Sequence, residues 1–199
     1  MKSTPTLEDV WHILEETPQT IFLTVTRHAT AMLNGMALQC LYGHQHPLAI
    51  VPADPESNTA NYKGSWMIAA EPMMTPIFLG MRITLTKNLN KAIGFVNGMG
   101  ATVLSMDAQN VYVRTDQGRR FNVHPWTDPE TYVLHFPFRV GYASTLHKVQ
   151  GATLSHVTLW LGIAKMPAAS YVALSRVEYD ANWRFVGDPG VHHFTPARF

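Results

Sequence analysis

Gly141–Leu154 reads GYASTLHKVQGATL, and the reading of this stretch decides the fold. It opens inside Phe138–Ala143, a stretch in the buried-strand pattern and short enough to be a strand of a parallel sheet. The run then gives way to small, hydroxyl and basic residues: Ser144, Thr145, His147 and Lys148. A buried strand emptying into a polar turn is the signature of an α/β unit, not of a helical bundle.

Working outward, the same pattern recurs. Val157–Leu161 is a second buried-strand run, and the stretch after it, Ala168–Val177, is helical in spacing and contains YVALSRV at Tyr171–Val177. Far upstream, Ile21–Val25 is another apolar, β-branched run. Arg27–Tyr42 follows it with Met32, Leu33, Met36, Ala37, Cys40 and Leu41 on one face, which predicts a crossover helix and a first strand–turn–helix unit. Before that, Leu7, Val10, Trp11 and Leu14 predict a short amphipathic helix with Thr6 as its cap, Asp9 three places on, and Pro18 beyond its end.

The middle of the chain has a different rhythm. Gly43–Pro76, rich in Pro, His, Asn and Gly, is expected to be loop around one or two short elements. Met81–Thr86, Thr102–Ser105, Val111–Arg114 and Arg119–Val123 are short strand patterns, separated by turn residues at Asn97-Gly98, Asp107–Asn110 and Asp116–Gly118. These predict a small antiparallel barrel over 77–135, interrupting an α/β domain made of 1–76 and 136–199. Gly94–Thr102, GFVNGMGAT, lacks the Lys-Ser/Thr ending of a phosphate loop and is read as a turn.

Composition narrows the classes. The 199 residues are 46% hydrophobic and 15% charged with a formal net charge of +1, so any contact with nucleic acid must come from a local site rather than from bulk basicity. Cys40 is the only cysteine, which excludes an intrachain disulfide and reads as a core thiol in a reducing compartment. Met1–Glu16 lacks the pattern of a signal peptide, and the longest apolar stretches fall well short of the roughly 20 residues a membrane helix needs. A soluble intracellular protein with no membrane partner is expected; nucleus, mitochondrion and cytoplasm stay open. His124, His135, His192 and His193 lack metal-ligand spacing, so no metal site is assigned. Trp11, Trp126, Trp160 and Trp183 are expected in the core.

GYASTLHKVQGATL and YVALSRV, in this order and separation, resemble the fifth and sixth motifs of the superfamily 1B DNA helicases, the group of RecD and the Pif-one helicases. Gly80–Gly98 is similar to the stretch that begins that family's inserted Src-homology-3-like barrel, and Leu23–Asn34, LTVTRHATAMLN, resembles its fourth motif. The resemblance covers about Thr20 to Val177. Val149 stands where the family usually has serine, removing one hydroxyl from the motif.

The resemblance implies a RecA-like parallel sheet flanked by helices, the second of two motor domains, with an inserted small antiparallel barrel. Arg176 would be the arginine finger that reaches ATP across a domain interface, a role that suits a fork-shaped, always-charged guanidinium. Gln150 and Gly151 would lie near the nucleotide. Ser144, Thr145, His147, Lys148 and Thr26 would hold the phosphates of single-stranded DNA without reading bases. Arg27 is either a further nucleotide contact or a solvated residue at a helix start; His147 and Lys148 without their motif would read as ordinary strand-end and surface residues.

No GxxxxGK[ST] occurs in the sequence, nor an Asp-Glu pair closing an apolar strand. ATP with Mg2+ would therefore be bound mainly by a first RecA-like motor domain, supplied in cis or in trans. The expected function is the C-terminal motor domain of an ATP-dependent DNA helicase translocating 5′ to 3′, inactive in isolation. The alternatives are a non-catalytic single-strand-binding module derived from such a helicase, and a scaffold that uses the fold alone.

Overall fold

The computed structural model describes residues 4–54, 61–63, 66–68, 72–92, 95–129, 132–149, 153–161, 169–187 and 194–195. In chain order its elements are α1 (Leu7–Glu16), β1 (Ile21–Thr24), α2 (Arg27–Tyr42), β2 (Ala49–Ala53), β3 (Asn61–Lys63), β4 (Trp66–Ile68), β5 (Met73–Ile77), β6 (Arg82–Leu85), β7 (Gly100–Met106), β8 (Val111–Thr115), β9 (Arg120–Val123), β10 (Trp126–Thr127), β11 (Leu134–His135), β12 (Phe138–Val140), β13 (Ala143–Thr145), β14 (Val157–Trp160), α3 (Ala169–Leu174) and β15 (Trp183–Phe185). They form two compact units: Met1–Gly43 with Tyr142–Phe199, and His44–Gly141.

The first unit is a RecA-like α/β fold built on a four-stranded sheet of order β13-β1-β14-β15, parallel throughout. Every residue of β1 is buried, as expected of a strand covered on both faces. Ile21 and Leu23 pack with Val157, Leu159, Leu161, Leu146 and Val149 and with Ala169 and Ala173 at α3. Fully burying a side chain such as Leu23 or Leu159 contributes about 1.5 to 3 kcal/mol. α2 lies against β1 and β13, with α1 against α2.

α1 begins with the expected reciprocal cap: the Asp9 amide donates to Thr6 Oγ1 at 3.1 Å, and the Thr6 amide donates to Asp9 Oδ2 at 2.8 Å. Its buried face is Val10, Ile13 and Leu14, so Trp11 is 44% exposed and not a core residue; it sits one helical step off the stripe that its neighbours fill. Cys40 is half-buried rather than fully in the core, and burial raises its thiol pKa.

At the amino end of the sheet lies a buried polar cluster. Thr20 Oγ1 is 2.8 Å from His156 Nδ1 and 2.9 Å from Thr158 Oγ1. Burial, reinforced by Arg184, holds the His156 pKa below its ordinary 6.5. A histidine depressed in the folded state binds its proton more readily when unfolded, so stability falls as pH drops through about 6.5 towards the folded pKa. His156→Asn is therefore expected to lose stability at pH 7.5 and to close the gap with the wild type by pH 5, read from thermal midpoints across that range. A gap that stays constant with pH would show that His156 remains unshifted.

The second unit carries a five-stranded antiparallel sheet of order β12-β6-β7-β8-β9, with a bulge in β7 between Val103 and Ser105. Its turns fall where sequence placed them, with Gly98 and Gly118 at φ 88° and 82°, the left-handed region that favours glycine. Pairing extends the unit on both sides of 77–135. β12 pairs with β6, and the described residues of Gly43–Pro76 hold more strand than the one or two short elements expected there, β2 pairing with β5 and β3 with β4. The ribbon of β2 and β5 is tied in by the Asp54 amide, which donates to the Phe136 and Phe138 carbonyls.

The run Phe138–Ala143 is not one strand. β12 belongs to the antiparallel sheet and β13 to the parallel one, and the chain changes units between Gly141 and Tyr142. Gly141 marks the change because a Cβ there would lie 2.6 Å from the Ile83 carbonyl carbon. Among the described residues, no helix is long and apolar enough to cross a membrane.

Candidate functional site

The carboxyl ends of β1 and β13 lie side by side, in register Leu23 with Ser144 and Thr24 with Thr145. Thr24 also pairs with Trp160 on β14. One sheet edge thus gathers the ends of three strands, where open α/β sheets receive their ligands.

From β1 the chain turns directly into α2. Thr26 caps it, its Oγ1 accepting from the Ala29 amide at 3.2 Å. The cap is supported from below: Thr24 Oγ1 donates to the Thr26 carbonyl at 3.0 Å and lies 2.8 Å from Thr30 Oγ1. The Thr26 hydroxyl is therefore already engaged with the helix, while Thr26 and Arg27 are both exposed at its start. The partial positive charge of a helix start favours anions there.

From β13 the chain enters a 3-10 turn, Leu146–Val149, in which Leu146 and Val149 are buried and His147 and Lys148 exposed. The alternation anchors the turn through its apolar ends and turns its basic pair outward. Ser144 is half-buried and Thr145 is buried. Gln150 and Gly151 lie outside the described residues, as do His192 and His193.

Arg176 follows α3, which spans Ala169–Leu174 and is shorter than the expected 168–177 because the chain turns at Ser175 to bond back. The Leu154 amide donates to the Arg176 carbonyl at 2.8 Å. Its guanidinium is tethered on one side: Nε donates to the Val172 carbonyl at 3.2 Å and Nη2 to Ser175 Oγ at 2.8 Å. Among the described residues no carboxylate lies within ion-pair distance of Arg27, Lys148 or Arg176, whereas Arg82 and Arg184 are paired with Asp116 and Glu16. With no carboxylate partner among the described residues, these cations leave charge for an anionic ligand to meet. No group of three or more His, Cys, Asp or Glu gathers among the described residues as a metal site would require.

Sequence reasoning missed Thr24, which props the start of α2, and the role of Asn34. Asn34 is buried on α2, and its Oδ1 accepts from the Tyr142 and Ala143 amides at 3.0 and 2.8 Å while Nδ2 donates to the Ala143 carbonyl at 3.4 Å. A buried asparagine on the apolar face of a helix was the available signal, since such a group must find partners.

Comparison with known proteins gives a consistent result. No protein-family model matches the chain. It is 35% identical over 118 residues, half of this chain and 26% of the relative, to the ATP-dependent DNA helicase Pif1 of Bdellovibrio bacteriovorus. To the human ATP-dependent DNA helicase PIF1 it is 30% identical over 184 residues, 82% of this chain and 28% of the relative. The chain carries a Pif1-like, superfamily 1B helicase domain. Solved structures agree on the fold of the Pif1-like domain: a Bacteroides Pif1 helicase in complex with ADP-AlF3 and single-stranded DNA superposes at a TM-score of 0.64, with 17% identity, over 98% of this chain and 52% of that one. A Pif1 structure solved for DNA unwinding at forked duplexes gives 0.67 at 20% identity over 98% and 50%. The chain spans about a quarter of the length of these curated relatives and about half of these solved chains.

Proposed function

We propose that the chain is the C-terminal RecA-like motor domain of an ATP-dependent DNA helicase, discontinuous around a Src-homology-3-like barrel over 77–135, a range that falls inside the second unit, His44–Gly141. The observation that carries this reading is the register of β1 with β13, which sets the fourth-motif Thr26 and Arg27 at the same sheet edge as the fifth-motif hydroxyls. Hydroxyls, backbone amides and a helix start together bind phosphates irrespective of base, as a translocating motor requires. Ser144, Thr145, His147 and Lys148, with Thr26 acting through its backbone rather than its capped hydroxyl, hold single-stranded DNA.

Arg176 is the catalytic residue. A guanidinium with no carboxylate at ion-pair distance among the described residues fits a nucleotide phosphate, and Arg27, Gln150 and Gly151 complete this domain's share of the ATP site. Bound ATP with Mg2+ supplies the energy for translocation. The phosphate cradle and the metal ligands belong to a first RecA-like domain, in cis or in trans, and the protein works on DNA inside the cell.

The test uses the chain alone. It is expected to bind a fluorescent oligothymidylate with an affinity that falls steeply with salt, and Thr145→Ala is expected to weaken binding by about 0.5 to 1.5 kcal/mol, the loss of one hydrogen bond. It is expected to hydrolyse no ATP above background. Absence of binding at low salt would sink the strand-gripping role, and turnover that copurifies with the chain would sink the half-motor.

A further inference from the structure

Among the described residues β13 stands at the end of the sheet order, with a neighbouring strand on one side. The other side would leave backbone groups without a ladder, and buried backbone groups need partners. Asn34 supplies them. Its one side chain takes the amides of Tyr142 and Ala143 and gives a proton to the Ala143 carbonyl, immediately before Ser144 and Thr145. Asn34 also stands two turns along α2 from Thr26 and Arg27, so a single side chain links the helix that starts at the sheet edge to the strand that ends there.

We propose that Asn34 is the positioning residue of the strand grip: its amide fixes the height of β13 against α2, and thereby the place at which Ser144 and Thr145 meet a DNA phosphate. The proposal rests on the DNA-binding reading above. A hydroxyl aimed at a phosphate has a narrow useful range, because hydrogen bonds weaken steeply with misalignment. Sliding β13 by even part of a residue carries both hydroxyls out of that range while leaving the apolar core of the unit in place.

The experiment measures the affinity of the full chain for a fluorescent oligothymidylate well below the unfolding midpoint, alongside thermal melts. Asn34→Leu, close in volume but unable to bond, is expected to bind about tenfold more weakly, the effect of losing the bonds of a buried polar contact. Asn34→Asp keeps both acceptor contacts and is expected to stay within about threefold of the wild type, since those are the shorter bonds. Val10→Ala, a core truncation on α1 away from β13, is the stability control: it lowers the midpoint and leaves affinity unchanged.

A purely structural Asn34 gives a different result, with all three variants melting earlier and all binding as the wild type does, which overturns the proposal. So does Asn34→Asp falling as far as Asn34→Leu. Should Asn34→Leu fail to fold, Asn34→Ser, too short to span the same groups, is read in its place. If the wild type itself fails to bind, the DNA-binding reading falls and takes this proposal with it; wild-type binding with unaffected Asn34 variants removes the proposal alone.

Discussion

Arg176→Ala, in a motor reassembled from this chain and a first RecA-like domain, is expected to cut DNA-stimulated ATP hydrolysis about 10³-fold, the lower bound for an arginine finger, or roughly 4 kcal/mol of transition-state stabilisation. Affinity for single-stranded DNA should be nearly unchanged, because the groups proposed to hold the strand are on β13, the turn after it and the start of α2. Arg176→Lys should rescue little. Nε and Nη2 of the arginine are spent on the Val172 carbonyl and Ser175, and Nη1 has no protein acceptor among the described residues. A guanidinium can be tethered by one edge and present the other; a single ammonium cannot do both. The decisive measurement is the pair of assays on one preparation: loss of DNA affinity with surviving basal ATPase would reverse the roles assigned to Arg176 and to β13.

Gly141→Ala is expected to lower stability by about 3 kcal/mol, at the upper end of overpacking costs. The new Cβ would meet Ile83 at 2.6 Å from its carbonyl carbon, 2.9 Å from its oxygen and 3.0 Å from its Cα. All three are backbone atoms, so no side-chain rotation can make room. The strain must be taken by β12 moving off β6, where Val140 pairs with Ile83 and the Gly141 amide donates to the Arg82 carbonyl at 3.0 Å. In a chain of this size that is a fall of about 6 to 12 °C in the thermal midpoint. Gly35→Ala is the matched control. Gly35 is helical, with nothing within 4 Å of a Cβ, and alanine there should stabilise by about 0.5 to 1 kcal/mol. Equal midpoints for the two variants would mean that Gly141 tolerates a side chain and that its close approach to Ile83 carries no cost.

The parallel sheet was legible because its strands announce themselves locally. Ile21–Val25 and Val157–Leu161 are apolar and β-branched runs, each with a single threonine, and strands covered on both faces need little else. The ribbon of β2 and β5 was illegible for the opposite reason. Pro52 and Pro76 sit inside strands, and proline argues against a strand except in a ribbon with a free edge, a condition that only the three-dimensional pairing reveals. The break between β12 and β13 was hidden likewise, since a sequence shows Gly141 but not the Ile83 backbone against it.

At the candidate site, the motifs gave residue types and order, while the arrangement depended on register. That Thr24 stands beside Thr145, and that the Thr26 hydroxyl is occupied by its own helix, follows from strand pairing and capping geometry. Asn34 was visible as part of a motif, but its partners lie more than a hundred residues away. Long-range backbone contacts of this kind leave no periodicity in the chain.

The order in which the ribosome makes this chain runs against the order in which the parallel sheet is laid out. β1 is an interior strand, buried along its whole length, yet both of its neighbours, β13 and β14, are synthesised only after the whole of the second unit. At about 5 to 20 residues per second, the roughly 120 residues between them take on the order of ten seconds. Throughout that time the nascent chain holds a sticky segment with no mate, the situation in which chaperones are recruited and misassembly between neighbouring chains begins. The second unit, by contrast, has all its strands in hand once β12 emerges. The natural sequence of events is for it to form first, shortening the gap across which β1 must find its partners and reducing the loop entropy of that closure.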